Sequence, residues 1–236
     1  MILFAGEVFP RRKLEALLDL WPDRRYFNLY GPTETNVCAF HEIPREFSGD
    51  QTGPTSIGKA CSGTLTRVMR ENGREALPGE EGELCVSGGT VMLGYWERPD
   101  LDAKASLVDG EGRRWYKTGD LVKETAEGGY LFLGRRDRMV KRRGFRIELG
   151  EVESLVYRNP NISEVAAIAF TDHEDNVQIK AFFCWAEDEP PSLVTLKRFC
   201  GESMPSYLIP DQFELLKAIP KTPTDKIDYQ SLLRAQ

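Results

Sequence analysis

Residues 134–151, GRRDRMVKRRGFRIELGE, constrain the fold of this chain more than any other stretch. The pattern predicts short extended segments at 131–133 and 139–141, a turn at Gly144 and a helix that begins near Glu148. Seven basic residues lie within it: Arg135, Arg136, Arg138, Lys141, Arg142, Arg143 and Arg146. Dense positive charge at a strand-turn-helix junction between two differently patterned halves is compatible with a hinge where arginines meet an anion, although charge alone favours a simpler interpretation. A solvated hairpin and a nucleic-acid patch are the alternatives.

The charge of the whole chain narrows these alternatives. The formal charge is −6, yet residues 134–146 hold seven basic residues and one acidic residue, so the rest of the chain carries −12. Nucleic-acid affinity comes from many cationic contacts spread over a surface. An acidic surround would repel a phosphate backbone. The composition therefore disfavours a nucleic-acid binder and leaves the hinge and the hairpin open.

The five cysteines follow neither a metal-binding nor a disulfide pattern. No CxxC pair occurs, and no histidine lies at zinc-ligand spacing. An odd cysteine count, with no signal peptide and no apolar run near 18 residues, predicts a reducing, cytoplasmic location and no membrane contact. With 41% apolar and 29% charged residues over 236 positions, the chain has the composition of a soluble protein of one large or two modest domains.

The N-terminal region predicts a β-α-β unit. Residues 1–4 form an apolar run, a helical pattern opens at Pro10, and residues 25–29 predict a strand before the polar turn 30–34. Such a unit implies a mostly parallel sheet, whose ligands lie at the carboxyl ends of the strands. Because one unit cannot cover its own core, we expect further chain upstream.

The regions on either side of the basic stretch differ in pattern. From Ile57, short β segments separated by Gly- and Pro-rich turns predict a small antiparallel barrel or sandwich. Within it, the run YKTGDL places Thr118, Gly119 and Asp120 in a turn. After the basic stretch, alternating helix and strand signals predict an α+β region that ends near Lys226.

Several side chains suit nucleotide chemistry on their own. Tyr30 offers a flat face for a base, Thr33 a hydroxyl, and Glu34 a hard oxygen for magnesium beside phosphates. Asp120 has two acceptor oxygens for ribose hydroxyls, and Lys226 brings a point charge to a developing phosphoryl or acyl charge. Ordinary turn chemistry, a capping carboxylate and a solvent-exposed lysine are the alternatives.

Taken in order, five segments resemble one family. They are NLYGPTE, GELCVSGGTVMLGYW, YKTGDL, GRRDRMVKRRGFRIELGEVE and PKTPTDKID, and the resemblance covers residues 3–232. Together they are similar to the core motifs of adenylate-forming enzymes. More narrowly, they resemble amino-acid adenylation domains of nonribosomal peptide synthetases and their stand-alone relatives, in particular L-prolyl-AMP ligases.

The resemblance implies a fold in three parts. Residues 1–56 would be the end of a large parallel α/β subdomain, residues 57–136 a small distorted β-barrel, and residues 137–236 a mobile α+β lid. ATP and Mg²⁺ would be the cofactors.

The resemblance also implies roles for single residues. Tyr30 would stack on adenine, with Asn28, Gly6 and Glu7 near the base edge. Thr33 would contact the α-phosphate and Glu34 would ligate Mg²⁺. The remaining nucleotide contacts would be Asp120 to the ribose hydroxyls and Arg135 to the ribose and phosphate.

The implied lid carries a second set of roles. Asp137 would be the hinge, and Gly144 would lie on the lid loop used in the second half-reaction. Lys226 would bridge the substrate carboxylate and phosphate during the first. Arg142 and Arg143 would meet the acidic surface or phosphopantetheine of a carrier protein.

Substrate selection would fall to a small apolar pocket lined by Leu3, Ala5, Leu29, Val37 and Cys38, with Lys226 at its carboxylate end. Such a lining has no group to recognise a polar side chain. It suits a small aliphatic or cyclic amino acid, and the resemblance favours L-proline. D-Alanine or another small amino acid is the alternative substrate, and a non-catalytic carrier-protein-binding fragment is the alternative function.

Some parts of the family pattern are not in this sequence. Its phosphate loop, its first large subdomain and the acidic residue for the substrate amine would all lie upstream. No GxxxxGK[ST] or GxGxxG segment replaces them. We therefore expect a truncated ligase that is inactive or very weak alone, with an exposed apolar sheet face.

Overall fold

The computed structural model describes residues 1–9, 11–44, 55–174, 176–187 and 189–234. Contacts divide the chain into two compact units, residues 1–136 and residues 137–236. The first unit contains β1 (Ile2–Ala5), α1 (Arg11–Leu20), β2 (Tyr26–Tyr30), β3 (Ala39–Ile43), β4 (Thr55–Ala60), β5 (Thr64–Met69), β6 (Glu81–Gly88), α2 (Pro99–Ala105), β7 (Ser106–Val108), β8 (Arg114–Glu124) and β9 (Tyr130–Arg135). A 3-10 turn (Arg136–Arg138) crosses the boundary along the chain. The second unit contains β10 (Met139–Arg142), β11 (Phe145–Glu148), α3 (Leu149–Val156), β12 (Ile162–Thr171), β13 (Val177–Trp185), α4 (Leu193–Ser203), β14 (Gln212–Leu215) and α5 (Tyr229–Arg234).

The N-terminal β-α-β unit is present, and β1 pairs in parallel with β2. The predicted start of its helix, Pro10, lies outside the described residues. The expectation of a mostly parallel sheet is wrong, because the other strand pairs described in this sheet are antiparallel. Parallel strands need a long crossover, which α1 provides, whereas the later strands are mostly joined by shorter connections that suit antiparallel pairing.

The described strands of the first unit form one open sheet of nine strands. Its order is β1-β2-β3-β4-β9-β8-β6-β5, with β7 on β8, and the path does not return to its start. The predicted barrel is therefore not closed among these strands. Strand β4 pairs with both β3 and β9, so the N-terminal and middle regions share one sheet.

Helix α1 covers one face of the N-terminal strands. Leu14 packs with Tyr26 and Ile43, and the Tyr26 hydroxyl donates to the Leu17 carbonyl at 2.7 Å. The opposite face of β1 and β3 carries exposed apolar side chains, with Leu3 53% and Phe40 43% exposed. The strand face beneath α1 is the buried one, because α1 presents Leu14, Leu17 and Leu18 toward it on one side of the helix.

The second unit has a core on each face of its sheet β12-β13-β14. Val165 and Ala167 face α3 and α4, whereas Ala166 and Ile168 face the cluster that includes Leu232 of α5. This alternation follows from the two-residue period of a strand.

The hairpin β10–β11 confirms the predicted turn at Gly144. The two turn residues, Arg143 and Gly144, have φ of 51° and 84°. Such a two-residue turn matches the strand twist, and glycine adopts its backbone without strain. The predicted helix follows, with α3 beginning one residue after Glu148.

The five cysteines are free, and four of them are buried. None of the helices among the described residues has the length and hydropathy needed to cross a membrane.

Candidate active site

Tyr30, Asp120 and Arg135 form a connected cluster in the first unit. Tyr30 ends β2, Asp120 lies in β8, and Arg135 ends β9 directly opposite Asp120. The Tyr30 hydroxyl donates to Asp120 Oδ2 at 2.5 Å, and Arg135 Nη1 donates to Asp120 Oδ1 at 3.1 Å. Asp120 is only 6% exposed, so these donors stabilise a buried carboxylate.

Asp120 does not lie in the predicted turn. Residues 118–120 belong to β8, where Gly119 has a φ of 74° and the ladder with β9 shifts register just beyond, between positions 121 and 122. The Gly119 amide donates to Glu83 Oε1 at 2.9 Å, and the Thr118 hydroxyl donates to the Leu84 carbonyl at 2.8 Å. Gly119 correctly indicated an unusual backbone conformation, but that conformation occurs at an irregularity in a strand and not in a turn.

The cluster keeps hydrogen-bonding capacity for a ligand. Burial and the Asp120 carboxylate raise the pKa of the Tyr30 phenol, so Tyr30 is a donor at neutral pH. A carboxylate has about four lone-pair sites. Asp120 can therefore accept from Tyr30, from Arg135 and from a further hydroxyl.

A second cluster joins Glu34 to two tyrosines that the sequence analysis had given no role. The Tyr95 hydroxyl donates to Glu34 Oε1 at 2.6 Å and lies 3.5 Å from the Tyr116 hydroxyl. Burial is the main cause that raises the pKa of both tyrosines, and the Glu34 carboxylate raises both further. Tyr95 lies within a quoted motif, but no local signal links it to a residue 61 positions earlier.

The turn between β2 and β3 holds Glu34 in place. A Cβ at Gly31 would lie 1.7 Å from the Asn36 carbonyl oxygen, so only glycine fits there. Thr35 is fully buried, and its hydroxyl bonds to the backbone of the same turn. Thr33 is exposed beside it, as a ligand contact requires.

The residues predicted near the base edge lie at one edge of the sheet. Ala5 pairs with Leu29, so Gly6 and Tyr30 follow at the carboxyl ends of adjacent parallel strands. Gly6 has a φ of 95°, and Glu7 is exposed. Asn28 is buried, and its amide nitrogen donates to the Ser56 carbonyl at 2.8 Å, which uses one donor for the fold.

The five predicted pocket residues differ in burial. Leu3 and Ala5 are exposed on one face of β1, and Leu29 lies beside Ala5 and is half-buried. Val37 is half-buried as well. Cys38 is completely buried in a core cluster with Leu84 and Val122, and burial raises the pKa of its thiol to about 11.

The remaining predicted residues belong to the second unit. Lys226 is exposed in a tight loop, in which the Thr222 amide donates to the Lys226 carbonyl at 2.7 Å. Asp137 lies in the 3-10 turn where this unit begins. Arg143 is exposed, its side chain 68% accessible, at the tip of the β10–β11 hairpin.

Arg142 does not have the predicted surface role. It is 3% exposed, bonds to Asp211, and donates to the Tyr207 and Ile209 carbonyls at 2.9 and 3.1 Å. Alternation along the hairpin turns this side chain inward and its neighbour Arg143 outward. Arg142 therefore stabilises the unit and cannot contact a carrier protein.

Two family models match the sequence. The model for the AMP-binding enzyme matches residues 1–96, and that for the AMP-binding enzyme C-terminal domain matches residues 151–226. The chain belongs to the AMP-binding enzyme family. The resemblance to adenylate-forming enzymes is confirmed.

Known proteins of this family align along nearly the whole chain. An L-proline--[L-prolyl-carrier protein] ligase of Pseudomonas fluorescens is 39% identical over 99% of this chain and 44% of its own length. Tyrocidine synthase 1 of Brevibacillus parabrevis is 39% identical over 92% of this chain and 20% of its own. The o-succinylbenzoate CoA synthetase of Bacillus subtilis, solved with its acyl-adenylate intermediate, superposes with a TM-score of 0.80 at 28% identity, over 98% of this chain and 45% of that one. The chain thus spans less than half the length of these AMP-binding relatives.

The donor set around Glu34 fits magnesium. Among the described residues, no three Asp, Glu, His or Cys side chains group into a metal cage. Mg²⁺ usually binds one or two carboxylates together with substrate phosphates and water. Glu34, a single carboxylate on a rigid turn, fits that pattern.

Proposed function

We propose that this chain contributes the nucleotide site and C-terminal region of a ligase that activates L-proline to prolyl-AMP. The ligase then transfers the prolyl group to the phosphopantetheine thiol of a carrier protein. The observation that carries the proposal is the pair of clusters along β8, Asp120 with Tyr30 and Tyr116 with Glu34. Asp120 and Tyr116 are four residues apart on one strand, at most about 13 Å. That spacing allows one nucleotide to contact both clusters.

Different residues of the chain would contact the ribose, the adenine and the phosphates of the nucleotide. Asp120 would accept from the ribose hydroxyls while Arg135 neutralises its charge, and the Tyr30 ring would stack on adenine. Glu34 would hold Mg²⁺ with Thr33 beside the phosphates. When bound, Mg²⁺ would supply Lewis-acid stabilisation of phosphate charge.

Lys226 would complete the first half-reaction. The substrate carboxylate would attack the α-phosphorus, the bond to the pyrophosphate oxygen would break, and pyrophosphate would leave. The Lys226 ammonium would stabilise the negative charge shared by the carboxylate and the α-phosphate. A thiol would then attack the acyl-adenylate and release AMP.

L-Proline as the substrate rests on the apolar pocket set and on the relatives. Leu3, Ala5 and Leu29 provide no charged or amide side chain with which to recognise a polar substrate side chain. The prolyl-carrier protein ligase of P. fluorescens aligns along nearly this entire chain. The carrier protein enters the proposal through the same relative.

The test is amino-acid-dependent exchange of pyrophosphate into ATP. It would be run on the 236-residue chain and on a form extended at its N terminus by the preceding segment of the P. fluorescens ligase. Proline, alanine and D-alanine would be compared. We expect proline-dependent exchange in the extended form and very slow exchange by the chain alone.

Two results would contradict the proposal. Faster exchange with either alanine isomer would exclude proline as the preferred substrate. No exchange with any amino acid, together with retained carrier-protein binding, would indicate a non-catalytic binding module.

A further inference from the structure

The segment between β6 and α2 contacts the turn of Glu34 at two points. The Met92 amide donates to the Glu34 carbonyl at 2.8 Å, and the Tyr95 hydroxyl donates to Glu34 Oε1 at 2.6 Å. One bond fixes the backbone and the other fixes the carboxylate. These two bonds therefore restrict the orientation of the Glu34 side chain.

Asp102 of α2 holds Tyr95 in this position. The Tyr95 amide donates to Asp102 Oδ1 at 2.9 Å, and Arg114 pairs with the same oxygen at 3.5 Å. A Cβ at Gly94 would lie 2.6 Å from Asp102 Oδ2, so any larger residue there would displace the Asp102 carboxylate from this position. Arg114 also donates to the Leu93 carbonyl, which ties the segment to β8.

We propose that Tyr95 is a positioning residue for Glu34, holding its carboxylate in the orientation that ligates Mg²⁺ beside the nucleotide phosphates. The inference rests on the proposed function. The Tyr116 hydroxyl, 3.5 Å from that of Tyr95, limits the directions in which the Tyr95 phenol can turn. A hydrogen bond to a ligating carboxylate orients it and tunes its affinity for the metal.

The test compares Tyr95→Phe with the wild type and with Tyr130→Phe. Tyr130 is the matched control, because its hydroxyl bonds Thr66 at 2.8 Å in the core. Mn²⁺, as a stand-in for Mg²⁺, would be titrated with ATP present, and free Mn²⁺ would be followed by electron paramagnetic resonance. We expect Tyr95→Phe to weaken Mn²⁺ binding by about tenfold or more, and Tyr130→Phe to change it by less than about twofold.

Asp102→Ala is a second variant that leaves both Glu34 and the Tyr95 phenol in place. If Asp102 positions Tyr95, this variant also weakens Mn²⁺ binding, but by less than Tyr95→Phe does. In pyrophosphate exchange by the extended form, the Mg²⁺ concentration for half-maximal rate should rise in Tyr95→Phe. The KM for the amino acid should not.

Wild-type affinity for Mn²⁺ in both folded variants would overturn the proposal, and so would a wild type that binds no Mn²⁺ with ATP present. Whether the wild type exchanges pyrophosphate tests the proposed function and not the role of Tyr95. If the extended wild-type form binds Mn²⁺ and ATP but exchanges no pyrophosphate, the proposed function is contradicted. The comparison of Mn²⁺ binding between Tyr95→Phe and the wild type remains valid in that case.

Discussion

At the scale of single residues, the site depends on how buried charge is compensated. Asp120 is a buried carboxylate with donors on both oxygens, one neutral and one charged. Arg142 is a buried cation with a carboxylate and two carbonyls. Removing one partner from such a set costs more than the bond itself, because the remaining charge stays out of water.

Tyr30→Phe should lower the free energy of unfolding by about 1.5–3 kcal/mol, the usual range for a hydrogen bond to a charged group. Tyr130→Phe, which loses a bond between two neutral hydroxyls, should cost about 1 kcal/mol. Urea denaturation of both variants checks this. Equal costs would show that Tyr30 does not stabilise the Asp120 carboxylate.

Lys226→Ala should slow adenylation by about a hundredfold, as for the loss of one charge-stabilising donor. Lys226 is exposed, so stability should not change. Lys217→Ala removes another exposed lysine of the same unit and serves as the control. Pyrophosphate exchange by the extended form is the measurement, and an unchanged rate in Lys226→Ala would remove this lysine from the mechanism.

At the scale of elements, the second unit contains two glycines in opposite backbone settings. Gly144 is at the tip of the β10–β11 hairpin with a φ of 84°, whereas Gly150 is inside helix α3. A Cβ at either position would meet no atom within 4 Å. The effect of alanine at each site is therefore a matter of backbone conformation alone.

Gly144→Ala should lower the free energy of unfolding by about 1–2 kcal/mol, because L residues are strained at positive φ. Gly150→Ala should raise it by about 0.5–1 kcal/mol, because alanine is the better helix former. Thermal or urea unfolding of the two variants shows whether each substitution raises or lowers the free energy of unfolding. Shifts of the same sign would mean that the hairpin turn or the helix differs from this description.

At the scale of the whole molecule, the two units differ in how completely their sheets are covered. The second unit has a core cluster on each face of its sheet. The first has α1 on one face of β1–β3 and exposed apolar side chains, Leu3 and Phe40 among them, on the other. Contiguous exposed apolar surface favours association.

We expect residues 137–236, expressed alone, to unfold cooperatively in urea, whereas residues 1–136 bind a hydrophobic dye and associate. Adding the N-terminal extension should reduce dye binding by the first unit. Light scattering and dye fluorescence provide the measurements. A monomeric first unit without dye binding would contradict the expected exposure of its apolar face.

The sequence by itself determined the local elements and the family. Periodicity predicted α1 and α3, Gly144 predicted the turn, and the ordered motifs indicated the AMP-binding enzyme family, because these signals depend on neighbours along the chain. Asp120 and Glu34 were selected as candidate site residues in the same way.

Only the tertiary structure decided which distant residues meet. The open sheet, the irregular strand at Gly119, the burial of Arg142, and the bond from Tyr95 to Glu34 all depend on pairing between segments far apart in the chain. Strand order is set by packing and register across the whole sheet, and no local pattern specifies it. The family motifs were therefore recognisable in the sequence, whereas the side chains that hold them in place, such as Tyr95, could be identified only from the tertiary structure.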